Sequence, residues 1–106
     1  MIIGVAGPYS AATAEERQRN LDALNAAAAR LLERGHIPLI GVNAALPVIE
    51  QANVPDKYAA IMAISMAVIG RCEAMLVIGN SPGADRERDY VLSKGLPVYA
   101  SPDDVP

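Results

Sequence analysis

The sequence predicts a single α/β domain over residues 1–106, built as three layers with helices on both faces of a four- to five-stranded, mostly parallel sheet. Two observations carry that expectation. Short apolar runs alternate along the chain with longer stretches of helical periodicity, in the order β-α-β-α-β-α-β. The runs are also nearly continuous in apolar residues, as strands are when helices cover both faces. At 106 residues the chain is long enough for one core, and with 52% hydrophobic residues but neither Trp nor Phe that core must be aliphatic.

Ile2 to Ala6 reads as the first strand, broken by Gly7-Pro8-Tyr9-Ser10. Thr13 with Glu16 three residues later has the form of a capping box, and a long helix should run from about Ala14 to Arg34. Its apolar positions Leu21, Leu24, Ala28, Leu31 and Leu32 recur at helical spacing, and Gly35 ends it. His36 to Val42 reads as a second strand despite Pro38, followed by a loop that contains Pro47. A second helix should begin near Pro55-Asp56 and end near Gly70-Arg71. Ile61, Met62, Ile64, Met66, Val68 and Ile69 make it apolar on most sides, which predicts burial and, in so small a domain, a subunit interface. Ala74 to Ile78 forms the third strand, Pro82 to about Lys94 the third helix, and Pro97 to Ala100 a short last strand. The tail from Ser101 to Pro106 is expected to fray. This succession is Rossmann-like, in the flavodoxin-like manner.

Composition excludes several classes of partner. A formal net charge of −3, a pI near 5.0 and no basic run argue against a nucleic acid polymer. The apolar N-terminus lacks a basic flank and stops at Gly7-Pro8, so neither a signal peptide nor a membrane span is expected. A single cysteine, Cys72, permits no internal disulfide and fits a cytoplasmic location, where it reads as inert packing. No metal or cofactor is expected, and His36 reads as a surface or edge residue.

Ligands of open parallel sheets bind beyond the carboxyl ends of the strands, near the reversal of strand order. That rule gathers Gly7, Pro8 and Tyr9 after the first strand, Asn43 after the second, and Gly79 to Glu87 after the third. Ser81 has the character of an N-cap with Pro82 at the first helical position, leaving backbone N–H groups of the first turn, near Gly83 and Ala84, to face an anion. Glu87 lies one turn beyond Gly83 on the same helix face. A phosphate cradle beside a carboxylate suggests chemistry on a nucleotide or a sugar phosphate. Plainer readings stand beside these: Gly7-Pro8 as a simple turn, and Glu87 as a solvated helix residue among Asp85, Arg86, Arg88 and Asp89.

Gly7-Pro8-Tyr9, Gly35-His36 and Ser81-Pro82-Gly83-Ala84-Asp85-Arg86-Glu87, in that order, resemble the nucleoside 2-deoxyribosyltransferase superfamily, which includes 2′-deoxynucleoside 5′-monophosphate N-glycosidases. The resemblance implies Glu87 as the nucleophile at the anomeric carbon, Ser81, Gly83 and nearby backbone as the 5′-phosphate site, and Tyr9 with Gly7 as sugar and base contacts. It also implies neighbouring subunits that complete each other's sites. Members usually carry an aspartate eight residues before the acidic position that starts the third strand, where this chain has Ser65. Where they often carry a histidine after the second strand, it has Asn43. The implied activity is cleavage of an N-glycosidic bond in a nucleoside or its 5′-monophosphate, with Arg86 and Arg88 favouring the ionised Glu87. The alternatives are a nucleotide-binding sensor without turnover and an assembly protein.

Overall fold

A computed structural model describes residues 1–106 and contains one four-stranded sheet, parallel throughout. Strand β1 (Ile2–Ala6) lies between β2 (Ile37–Ile40) and β3 (Ala74–Val77), and β4 (Val98–Tyr99) forms the far edge beside β3. Register places Val5 opposite both Ile40 and Leu76, and Leu76 opposite Tyr99. The chain leaves β1 for one side and later returns past it to the other. Strand order therefore reverses between β1 and β3, where such sheets bind ligands.

Helix α1 (Ala14–Glu33) starts at Thr13, whose Oγ1 accepts from the Glu16 N–H at 3.1 Å. Its buried residues Leu24, Ala28 and Leu31 pack on Ile3, Val5, Ala74 and Leu76. Alternation along β1 turns Gly4 and Ala6 to the other face, where α3 (Lys57–Ile69) and α4 (Pro82–Ser93) close a second core of Ala6, Ile69, Met75, Ala84 and Val91; α2 (Gly41–Gln51) packs along α3. Asp56 caps α3 by accepting from the Ala59 N–H at 3.0 Å. The three-layer expectation holds, with boundaries within a few residues of those read from the sequence. No helix is long and apolar enough to cross a membrane.

Three sequence expectations need correction. The segment after β2, read as a loop, is α2, and it takes Val42 out of the strand. Gly41, Ala45 and Ile49 recur every fourth residue and are all buried, so one stripe holds the helix in place although Pro47 removes an internal hydrogen bond. A Cβ at Gly41 would lie 2.2 Å from Ser65 Oγ and 2.7 Å from its Cα, so the absent side chain lets α2 touch α3. The tail does not fray: Pro102–Asp104 form a short 3-10 turn, Val105 is buried in the α1-side core, and the Arg34 guanidinium donates to the Val105 carbonyl. Finally, His36 is buried, with Nδ1 3.0 Å from the Met1 amino nitrogen and Nε2 2.8 Å from the Pro106 carbonyl oxygen.

Candidate functional site

The carboxyl ends of the strands open into a partly open cavity of about 70 Å³. Gly7, Tyr9 and Ser10 from the loop after β1, Val42 from the start of α2, and Gly83, Ala84 and Glu87 from the first turns of α4 line it. Tyr58, Ile61, Met62 and Ser65 complete the wall, one stripe of α3 at spacings of three, four and seven.

Glu87 is only 5% exposed, and Ala84, Glu87 and Val91 form the buried stripe of α4. The solvated reading of Glu87 is therefore wrong. Ser65, 1% exposed, donates from its hydroxyl to Glu87 Oε1 at 3.2 Å. The second carboxylate oxygen has no protein partner, yet no buried side-chain oxygen is left unpaired anywhere in the chain, so this oxygen opens onto the cavity. Burial pushes the Glu87 carboxyl above the usual carboxylate range, and the Ser65 hydrogen bond pulls back less strongly. The arginines do not help: Arg88 pairs with Asp85 and Asp89 at 3.3 Å each, and Arg86 reaches the Tyr58 hydroxyl at 3.4 Å. Charge stabilisation by Arg86 and Arg88 is thus absent from the site, because both side chains lie on the outer faces of α4.

The start of α4 is organised as its sequence requires. Ser81 Oγ accepts from the Ala84 N–H at 3.1 Å, and its carbonyl accepts from the Asp85 N–H at 2.8 Å. Pro82 has no N–H, so the Gly83 N–H is the free donor of this turn. Gly83 is also close to α3: a Cβ there would lie 3.2 Å from Met62 Sδ.

The other residues singled out in the sequence divide. Gly7, Tyr9, Ser65, Gly83, Ala84 and Glu87 converge on the cavity, whereas Ser81, Pro8 and Asn43 stand outside it. Ser81 acts as the cap. Pro8 abuts Gly79, where a Cβ would be 3.0 Å from its Cδ, and so ties the loops after β1 and β3 together. Asn43 donates from Nδ2 to Asn25 Oδ1 at 2.7 Å. Ser10, Val42, Tyr58, Ile61 and Met62 were not anticipated as lining residues, although the α3 stripe was visible as apolar spacing.

Tyr9 also borders a second, more open cavity of about 380 Å³, lined further by Leu46, Pro47, Ile49, Glu50 and Lys57. No group of three or more His, Cys, Asp or Glu side chains converges as metal ligands would. Cys72 is buried in packing, its thiol pushed up by burial and by the nearby Glu73 charge. The chain matches no protein-family model and no curated protein.

Proposed function

We propose that the protein binds a nucleoside or nucleoside 5′-monophosphate and cleaves its N-glycosidic bond, with Glu87 as nucleophile. The observation that carries this reading is the Glu87 carboxylate, buried at a strand-end cavity with one oxygen held by Ser65 and the other facing the empty space. A carboxylate under an anomeric carbon stabilises the oxocarbenium-like transition state and can trap the sugar as an ester. In that step a bond forms between Glu87 and C1′, and the C1′–N bond breaks with its electron pair leaving on the base. The departing base takes a proton from solvent or from the Tyr9 hydroxyl. Water then attacks C1′, releasing the sugar and regenerating the carboxylate; a second base in place of water gives transfer. Ser65 acts as a positioning residue, and the Gly83 N–H at the start of α4 suits a phosphate oxygen.

Two finer expectations belong to the same reading. The α3 residues Ile61, Met62, Ile64, Met66 and Val68 stay half-buried in the single chain, which suits assembly with a second copy. One buried thiol suits the cytoplasm. A second reading, nucleotide binding without turnover, draws on the raised Glu87 pKa and on Ser65 standing where the resembled enzymes carry an acid. Incubation with a panel of nucleosides and monophosphates, followed by chromatography for free base, separates them. The proposal expects release of base by the wild type and none by Glu87→Gln; equal rates for both would refute the nucleophile assignment.

A further inference from the structure

The loop after β1 brings Tyr9 and Ser10 to the cavity, yet no residue from Gly7 to Ala12 takes part in a backbone–backbone hydrogen bond. Its first two residues are fixed by packing. A Cβ on Gly7 would lie 2.6 Å from Ile78 Cγ1, and Pro8 abuts Gly79. From Tyr9 to Ala12 the backbone is held by two hydrogen bonds, both from side chains of α1. Asn20 Nδ2 donates to the Tyr9 carbonyl at 2.8 Å, and the Arg17 guanidinium donates to the Ala11 carbonyl at 3.0 Å. Arg17 and Asn20 stand three residues apart, on one face of the helix. Arg17 has no carboxylate partner, and Asn20 makes no other side-chain hydrogen bond. Holding this loop is the one polar task that either side chain has within the chain.

We propose that Asn20 is a positioning residue for Tyr9, with Arg17 holding the turn that follows. The inference rests on the N-glycosidic reading above, in which Tyr9 meets the substrate in the cavity that also holds Glu87. That cavity is about 70 Å³, so its walls have little slack. A misplacement of about 1 Å in a reacting group is enough to lower a rate about a hundredfold. Further along, α1 is anchored by Leu24, Ala28 and Leu31 in the core, and the Asn20 bond refers the Tyr9 backbone to that fixed frame. An amide suits the task because it donates to a carbonyl. An ionised Asp at the same place would only accept, and would set its charge against the carbonyl oxygen.

Two measurements on the same proteins test the assignment: the rate of base release, and NMR amide order parameters over residues 9–12. Asn20→Ala should lower kcat/KM about ten- to hundredfold, and Asn20→Asp, which keeps the size, should do the same. In a chain that already carries Tyr9→Ala, adding Asn20→Ala should change nothing further, because the effect runs through Tyr9. Order parameters should fall from about 0.85 in the wild type to below about 0.6 in Asn20→Ala. If Asn20→Ala costs as much in the Tyr9→Ala background, or if the loop keeps its order, the positioning role is overturned and the N-glycosidic reading survives. If the wild type releases no base, that reading falls and the role in base release with it. The order parameters then still decide whether Asn20 holds Tyr9 in place.

Discussion

Replacing Glu87 by Gln should make the protein more stable at neutral pH, and the gain should vanish in acid. Burial raises the Glu87 pKa in the folded chain, so the folded form holds its proton more tightly than the unfolded form does. Below the unfolded pKa both states are protonated and the group costs nothing. Between the two pKa values the folded state binds more protons, and stability falls as pH rises. Above the folded pKa the loss is complete and constant. Each unit of upward shift amounts to about 1.4 kcal/mol. The carboxylate oxygen that faces the cavity keeps some contact with solvent, so the loss is smaller than full burial would give. For a domain of this size about 1 kcal/mol moves Tm by roughly 4–8 °C, so even a single unit is measurable. Gln keeps the shape and an oxygen to accept from Ser65, but it does not ionise. Melting curves of both proteins from about pH 4 to about pH 8, spanning the carboxylate range, should diverge with rising pH, the variant melting higher. Parallel curves, or a wild type that gains on the variant as pH rises, would show that the ionised carboxylate is favoured in the fold and that the desolvation argument is wrong.

Ser65→Ala removes the one hydrogen bond that favours ionised Glu87, so the acid limb of base release should move to higher pH; an unchanged limb in the pH–rate profile would count against Ser65 as a positioning residue. Gly41→Ala sets a Cβ against the Ser65 backbone at 2.7 Å, and thermal unfolding should register a loss of about 1–3 kcal/mol from overpacking, with base release impaired as well. Val105→Ala should cost about 2 kcal/mol by denaturant titration, because this residue is buried in the α1-side core; a negligible cost would mean that the tail frays after all. Gly35→Ala, at φ 91° with open space around it, should cost about 1 kcal/mol from backbone strain alone, again by denaturant titration.

The fold was legible where one signal dominated. β1 and β3 are continuous apolar runs, α1 and α4 carry Thr13 and Ser81 as caps, and Gly35 and Gly95 both take positive φ after a helix end. It was illegible where signals competed. Pro47 announced a loop, but the Gly41-Ala45-Ile49 stripe buries enough surface against α3 to outweigh one lost hydrogen bond. The tail failed for a different reason: Val105 is one apolar residue among Pro and Asp, and only the three-dimensional gap beside α1 shows that it is a core residue.

The site was legible in outline, and its central residue illustrates what periodicity alone misjudges. Asp85, Arg86, Arg88 and Asp89 give α4 the look of a wholly solvated helix, and Glu87 blends in. Yet Ala84, Glu87 and Val91 stand three and seven residues apart, the spacing of a buried face with a carboxylate in its middle. Its surroundings argue against a purely structural purpose. A buried carboxylate is stabilised by ion pairing or by several hydrogen bonds. Glu87 has neither: its helix neighbours Arg86 and Arg88 are turned outward, and Ser65 is its one side-chain hydrogen-bond partner. An aliphatic side chain at this position would serve packing better. A carboxylate in so costly a place, with one oxygen fixed and the other open to a cavity, is what the proposed nucleophile reading requires and what plain packing does not.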